Sequence, residues 1–132
     1  MSDPREKSER FRRGRAALAG IMGDQQVARL DAAMAGIAPD MVEYLVSFGF
    51  GDLYARPGLK PRDRQLATIA ALTALGTAQP QLRAHIKAGL AAGLTREEIV
   101  EVLMQMAVYA GFPAALNALA AAKEVFAETA KI

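Results

Sequence analysis

Apolar residues recur three and four positions apart along much of this chain, which is the spacing of one face of an α-helix. Residues 24–37 follow this rule, with Asp24 placed to cap the start of a helix, and residues 39–54 follow it again. Gly49 and Gly51 interrupt the second stretch. Because glycine weakens a helix but admits close neighbours, these two positions predict tight packing or a bend.

After residue 60, proline and glycine mark the starts and ends of the predicted helices. Pro61 suits the first turn of a helix that continues to Leu75 and stops at Gly76. The stretch from Leu66 to Leu75 has almost no polar face, so we expect this helix to be buried on nearly all sides. In a chain this small, such burial usually needs contacts with another copy.

Three more helices are predicted downstream. The first ends at Gly93, and Thr95-Arg96-Glu97-Glu98 is a capping box that opens the second. Gly111 closes that helix, and Pro113 starts the last one. The fold class is therefore all-α, a compact bundle of about six helices.

The composition supports this fold class. The chain has 132 residues, about one domain, and few aromatic residues and no tryptophan. We divide it into a charged N-terminal arm over 1–20, solvated or wrapped around a partner, and a single helical domain over 21–132. The net charge of +2 is too small for a general binder of polyanions, and no recognition-helix motif is present, so no nucleic-acid partner is expected.

One uncharged stretch, Val102 to Ala122, is long enough to raise the question of a membrane helix. Gly111-Phe112-Pro113 would break it near its middle, and alanine is only weakly hydrophobic, so two buried helices joined by a tight turn are the better interpretation. We expect no membrane association. The absence of cysteine and of an apolar signal segment in residues 1–15 favours the cytoplasm.

His85 is the first candidate for chemistry, because it is the only histidine and imidazole titrates near neutral pH. With no cysteine in the chain, thiolate chemistry has no nucleophile, and acid/base chemistry or plain binding remains. With one histidine and no cysteine, no metal site is expected. The alternative is that His85 is an ordinary hydrogen-bonded residue of the core or surface.

Five segments, in their order and spacing, resemble the carboxymuconolactone decarboxylase family: residues 50–59, 62–72, 82–86, 93–99 and 108–115. The resemblance covers about residues 40–128. It implies an alkylhydroperoxidase-D-like helical fold, protomers assembled as trimers or hexamers through apolar helices, sites near subunit boundaries, and a role in the breakdown of aromatic compounds.

A branch of this fold, the alkylhydroperoxidase-D-like proteins, uses a redox Cys-x-x-Cys followed by a histidine. Counting back from His85 places those cysteines at Ala78 and Gln81. Neither side chain forms a thiolate, so no thiol peroxidase or disulfide reductase activity is expected.

The resemblance also implies a reaction, the decarboxylation of a small carboxylated lactone such as 4-carboxymuconolactone, without cofactor or metal. His85 matches the family's histidine and would move the proton. Gln65 stands where the family commonly has an acid, and an amide cannot transfer a proton at neutral pH. The candidates for binding the substrate are Arg56, Arg62, Arg64 and Tyr109, the arginines because guanidinium matches carboxylate.

Two classes of function therefore stay open. The first is a cofactor-free decarboxylase that uses His85. The second is an oligomeric small-molecule-binding protein that kept the family fold without the catalysis, for which Gln65 is the argument.

Overall fold

A computed structural model describes residues 8–130, which contain seven α-helices, one π-helix and no β-strand. In chain order the helices are α1 (Glu9–Met22), α2 (Asp24–Ala35), α3 (Pro39–Tyr44), the π-helix (Leu45–Tyr54), α4 (Pro61–Leu75), α5 (Gln79–Ala91), α6 (Arg96–Ala110) and α7 (Phe112–Thr129). The predicted all-α class is confirmed for this part of the chain.

The described chain forms two compact units, one ending at Leu59 and the other beginning at Lys60. The predicted helix over 39–54 has the predicted limits, but from Leu45 onward it is a π-helix. The segment over 1–20 includes most of α1, in which Phe11, Gly14 and Leu18 are buried at helical spacing. The division into an arm over 1–20 and one domain over 21–132 stays a prediction.

Within the first unit, α1 packs against the π-helix at glycines. A Cβ on Gly14 would lie 2.0 Å from the carbonyl oxygen of Val46, and one on Gly51 would lie 2.4 Å from that of Arg10. The prediction of close packing is thus confirmed at Gly51, whereas a Cβ on Gly49 would meet nothing within 4 Å. The core of this unit consists of Phe11, Leu18, Val27, Val42, Val46 and Phe50.

The second unit places its core among α4, α5, α6 and α7. That core comprises Ile69, Leu82, Ile86, Leu94, Ile99, Leu103, Ala118, Ala121, Ala122 and Val125. The predicted capping box is confirmed, since the Thr95 hydroxyl accepts from the Glu98 backbone N–H at 3.0 Å and the Glu98 carboxylate accepts from that of Thr95 at 2.9 Å. It sets the start of α6.

In the single chain, α4 is less buried than the sequence predicts. Ile69 is fully buried, but Ala67, Ala71, Ala74 and Leu75 are exposed. The reason is that the neighbouring helices of the same unit cover only one side of α4.

The uncharged stretch from 102 to 122 is divided between two helices as predicted, but these helices are not fully buried in the single chain, since Met104, Val108 and Leu116 are exposed. Gly111, with a φ of +93°, ends α6 and precedes α7. Among the described helices, none is both long and apolar enough to cross a membrane.

Candidate functional site

The second unit joins His85 of α5 to Gln65 of α4. The ring Nδ1 of His85 lies 2.9 Å from Oε1 of Gln65. An amide oxygen only accepts, so Nδ1 carries the proton and donates it to Gln65. In the neutral imidazole the lone pair is then on Nε2, which makes no hydrogen bond to any residue in the range 8–130. Nε2 is therefore the ring nitrogen available for chemistry.

Close approach of α4 and α5 makes this hydrogen bond possible. Gly89 follows His85 by one helical turn, and a Cβ there would lie 2.9 Å from Leu94 Cδ1 and 3.2 Å from Ile69 Cδ1. The Gln65 Cβ would be only 3.7 Å away. Gly89 was not among the residues that the sequence predicts for the site, although its position four residues after His85 on a helix is a usable signal.

Burial determines the electrostatics of the pair. Gln65 is 2% exposed, and His85 is half-buried. Desolvation penalises the charged imidazolium and lowers the pKa of His85 below its usual value. The partner of His85 is an uncharged amide, which supplies no charge to offset this effect. His85 is consequently a neutral imidazole at pH 7.

Arg62, one of the predicted carboxylate-binding residues, is already paired with acids. Its guanidinium contacts the carboxylate of Glu98 in α6 and lies 3.4 Å from that of Asp63. The pairing with Arg62 helps to hold the pKa of Glu98 below its usual range, after the larger contribution of the Thr95 backbone N–H. A substrate carboxylate that used Arg62 would have to compete with Glu98.

The other predicted binding residues are in different surroundings. Arg64 is half-buried in the first turns of α4, directly before Gln65. Tyr109 is 76% exposed near the end of α6. Arg56 is exposed in the first unit, just after the π-helix. Of the predicted site residues, the structure thus brings His85 and Gln65 into direct contact.

The first unit contains a cavity of about 380 Å³, and none of the predicted site residues lines it. Its lining comprises Phe11, Arg15, Asp31, Ala35, Pro39, Val42 and Glu43. Of the three charged residues in its wall, Arg15 and Asp31 form an ion pair with each other. Over residues 8–130, no three His, Asp or Glu side chains converge in a way that could hold a metal ion.

Comparison with known proteins agrees with the motifs. The chain is 33% identical over 118 residues to a 4-carboxymuconolactone decarboxylase of Acinetobacter baylyi, covering 89% of this chain and 87% of the relative. It is 40% identical over 97 residues to an uncharacterized 15.0 kDa protein of Paracoccus denitrificans, 73% of this chain and 72% of that protein. A nitrosuccinic acid decarboxylase of Metarhizium robertsii is 30% identical over 77 residues, 58% of this chain and 53% of the relative.

A model of the carboxymuconolactone decarboxylase family matches residues 39–124 of this chain. That range includes both members of the His85–Gln65 pair and agrees with the extent predicted from the sequence motifs. The resemblance is confirmed, and this chain belongs to the carboxymuconolactone decarboxylase family.

Proposed function

We propose that this protein is a cofactor-free decarboxylase of small carboxylated lactones such as 4-carboxymuconolactone, with His85 moving the proton. The observation that carries the proposal is the 2.9 Å contact between His85 Nδ1 and Gln65, which orients the ring and leaves Nε2 available. Two relatives named as decarboxylases support the reaction type.

The chemistry needs little beyond such a group. When a carboxylate leaves as carbon dioxide, its bonding electrons pass through the ring alkene to the lactone carbonyl and form a dienolate. The dienolate then takes up one proton at carbon, so each turnover consumes a proton. Imidazolium Nε2–H of His85 would donate that proton and would recover it from water after product release.

Binding of the retained carboxylate falls to the arginines of α4. Arg64 is the stronger candidate, because it adjoins Gln65 near the positive end of the α4 macrodipole. Arg62 would serve only by exchanging Glu98 for the substrate. Tyr109, at the surface, would reach a ligand only where that ligand extends along α6.

A second candidate function, binding without catalysis, is favoured by the amide at position 65. A carboxylate there would raise the pKa of His85 and keep more of the ring protonated at neutral pH, whereas Gln65 does not. A site that has lost its ready proton donor would still hold a lactone.

The experiment is an ultraviolet assay with 4-carboxymuconolactone, because decarboxylation changes the conjugated chromophore. We expect turnover by the wild type, a loss of about 10²- to 10⁴-fold in His85→Gln, and a gain in Gln65→Glu at neutral pH. Lys87→Gln, at an exposed position of α5, is the matched control and should leave the rate unchanged. Binding of the lactone by calorimetry with no turnover in either the wild type or Gln65→Glu would favour the binding protein.

A further inference from the structure

The hydrogen bond between His85 and Gln65 has a direction that limits what the pair can do at rest. Since Oε1 of Gln65 accepts and never donates, the ring proton of neutral His85 is on Nδ1 and the lone pair is on Nε2. Gln65 is 2% exposed, which keeps water from replacing it. The resting pair therefore presents a base, and it becomes an acid only after taking up a proton.

The charges near α5 do not reverse this state. The helices α4 and α7 pack against α5. On α4, Arg62 is paired with Asp63 and with Glu98 of α6, and on α7, Glu124 is paired with Arg83 of α5. The remaining charged side chains of these three helices are Arg64, Lys87, Lys123 and Glu128. Burial lowers the pKa of His85, and this favours the neutral ring.

A base at rest suits a reaction that begins by removing a proton and returns it later. From this geometry we infer a further activity, the migration of the ring double bond in small unsaturated lactones by a proton shift through Nε2 of His85. The inference rests on the proposed function, because it takes the same class of ring to the same pair. Unlike decarboxylation, this reaction neither consumes nor releases a proton overall.

The proton and the electrons are conserved between His85 and the lactone. Nε2 removes a proton from the ring CH₂ next to the lactone carbonyl, so a C–H bond breaks and an N–H bond forms. The electron pair moves into the ring and gives a dienolate, while the imidazolium keeps its Nδ1–H bond to Gln65. Nε2 then returns the proton to the far carbon of the dienolate. The product has its double bond conjugated with the carbonyl, and His85 is neutral again.

The test uses α-angelica lactone, which has the required ring CH₂ and no carboxylate to lose. We expect a saturable conversion to the conjugated β-isomer above the buffer blank, followed by ultraviolet absorbance, with deuterium incorporation in D₂O followed by NMR. Conversion should fall about 10²- to 10⁴-fold in His85→Gln and persist in Lys87→Gln. The chain has one histidine, so no other imidazole of the protein can supply the rate.

The pH profile gives a second readout that does not depend on His85→Gln folding. Isomerisation needs the neutral ring, so its rate should be level above the pKa of His85 and fall below it, opposite to decarboxylation. Gln65→Glu should move the isomerisation profile to higher pH. No conversion above the blank by folded wild type, or equal conversion by folded His85→Gln, would overturn the inference.

The two proposals fail separately in this design. Decarboxylation of 4-carboxymuconolactone without isomerisation of α-angelica lactone would overturn the inference and keep the proposed function. Isomerisation without decarboxylation would keep the inference and overturn the proposed function. Absence of both reactions from folded protein would overturn both proposals.

Discussion

Gln65 supplies the hydrogen-bond partner of the His85 ring, and its side chain is an uncharged amide. A carboxylate at this position would accept the same Nδ1–H bond and would also stabilise the imidazolium, raising the pKa. The amide accepts the bond at 2.9 Å without that charge, so burial alone decides the direction of the shift. With a carboxylate at position 65, more of the His85 ring would be protonated and could donate a proton. With the amide, the ring is neutral and acts as a base.

Nitrogen NMR tests this directly, because the single histidine gives one imidazole spin system. We predict that neutral His85 is the tautomer protonated on Nδ1, and that its pKa lies below the usual value of 6.5. Replacing Gln65 with Leu should remove the tautomer preference. The prediction is wrong if the neutral wild-type ring is protonated on Nε2 or titrates above 6.5.

Sequence reasoning reached these two residues but not their surroundings. His85 stands out because it is unique, and Gln65 stands out because the family motif commonly has an acid there. The pairing of Arg62 with Glu98 joins positions 36 apart in the chain and depends on how α4 meets α6. Since many acids could serve as the partner of an arginine, no local pattern predicts that pair.

Among the helices, α1 and the π-helix show how glycine and charge combine. Gly14 and Gly51 let the two backbones approach until a Cβ would overlap a carbonyl oxygen. Arg10 and Arg13 of α1 then reach Asp52, with the Arg10 Nε 3.0 Å from Oδ1. The buried face of α1 includes a glycine, and arginines stand on both sides of it in the sequence. The segment therefore reads as charged, and the sequence does not predict α1 as a helix of the core.

Alanine substitutions at two glycines of α1, one packed and one open to solvent, test this packing. We predict that Gly14→Ala destabilises the protein by about 1–3 kcal/mol, because the Val46 carbonyl at 2.0 Å is backbone and must move. Gly20→Ala in the same helix meets nothing within 4 Å and should stabilise by about 0.5–1 kcal/mol through helix propensity. Urea unfolding of both variants gives the two signs, and equal effects would contradict the packing argument.

Each unit leaves large apolar side chains on its surface. In the second unit the exposed residues include Leu75, Met104, Val108, Phe112 and Leu116, and in the first they include Ile37, Met41, Tyr44 and Phe48. Exposed apolar side chains mark contact with another molecule where they form a contiguous patch. The sequence predicted contact through apolar helices because α4 and the pair formed by α6 and α7 have more apolar surface than one small protomer buries.

We predict that the protein is a trimer or hexamer and that Val108 contributes to the contact. Val108 is 78% exposed in the single chain, so Val108→Glu should leave the protomer folded. In an assembly the added carboxylate would have to be desolvated against apolar neighbours, which weakens association by at least about tenfold on general desolvation costs. Lys87→Glu, exposed on α5, adds the same group outside the apolar residues and should leave assembly intact. Sedimentation equilibrium decides the matter: a wild type that stays monomeric at micromolar concentration contradicts assembly, and an unaffected Val108→Glu oligomer excludes this residue from the interface.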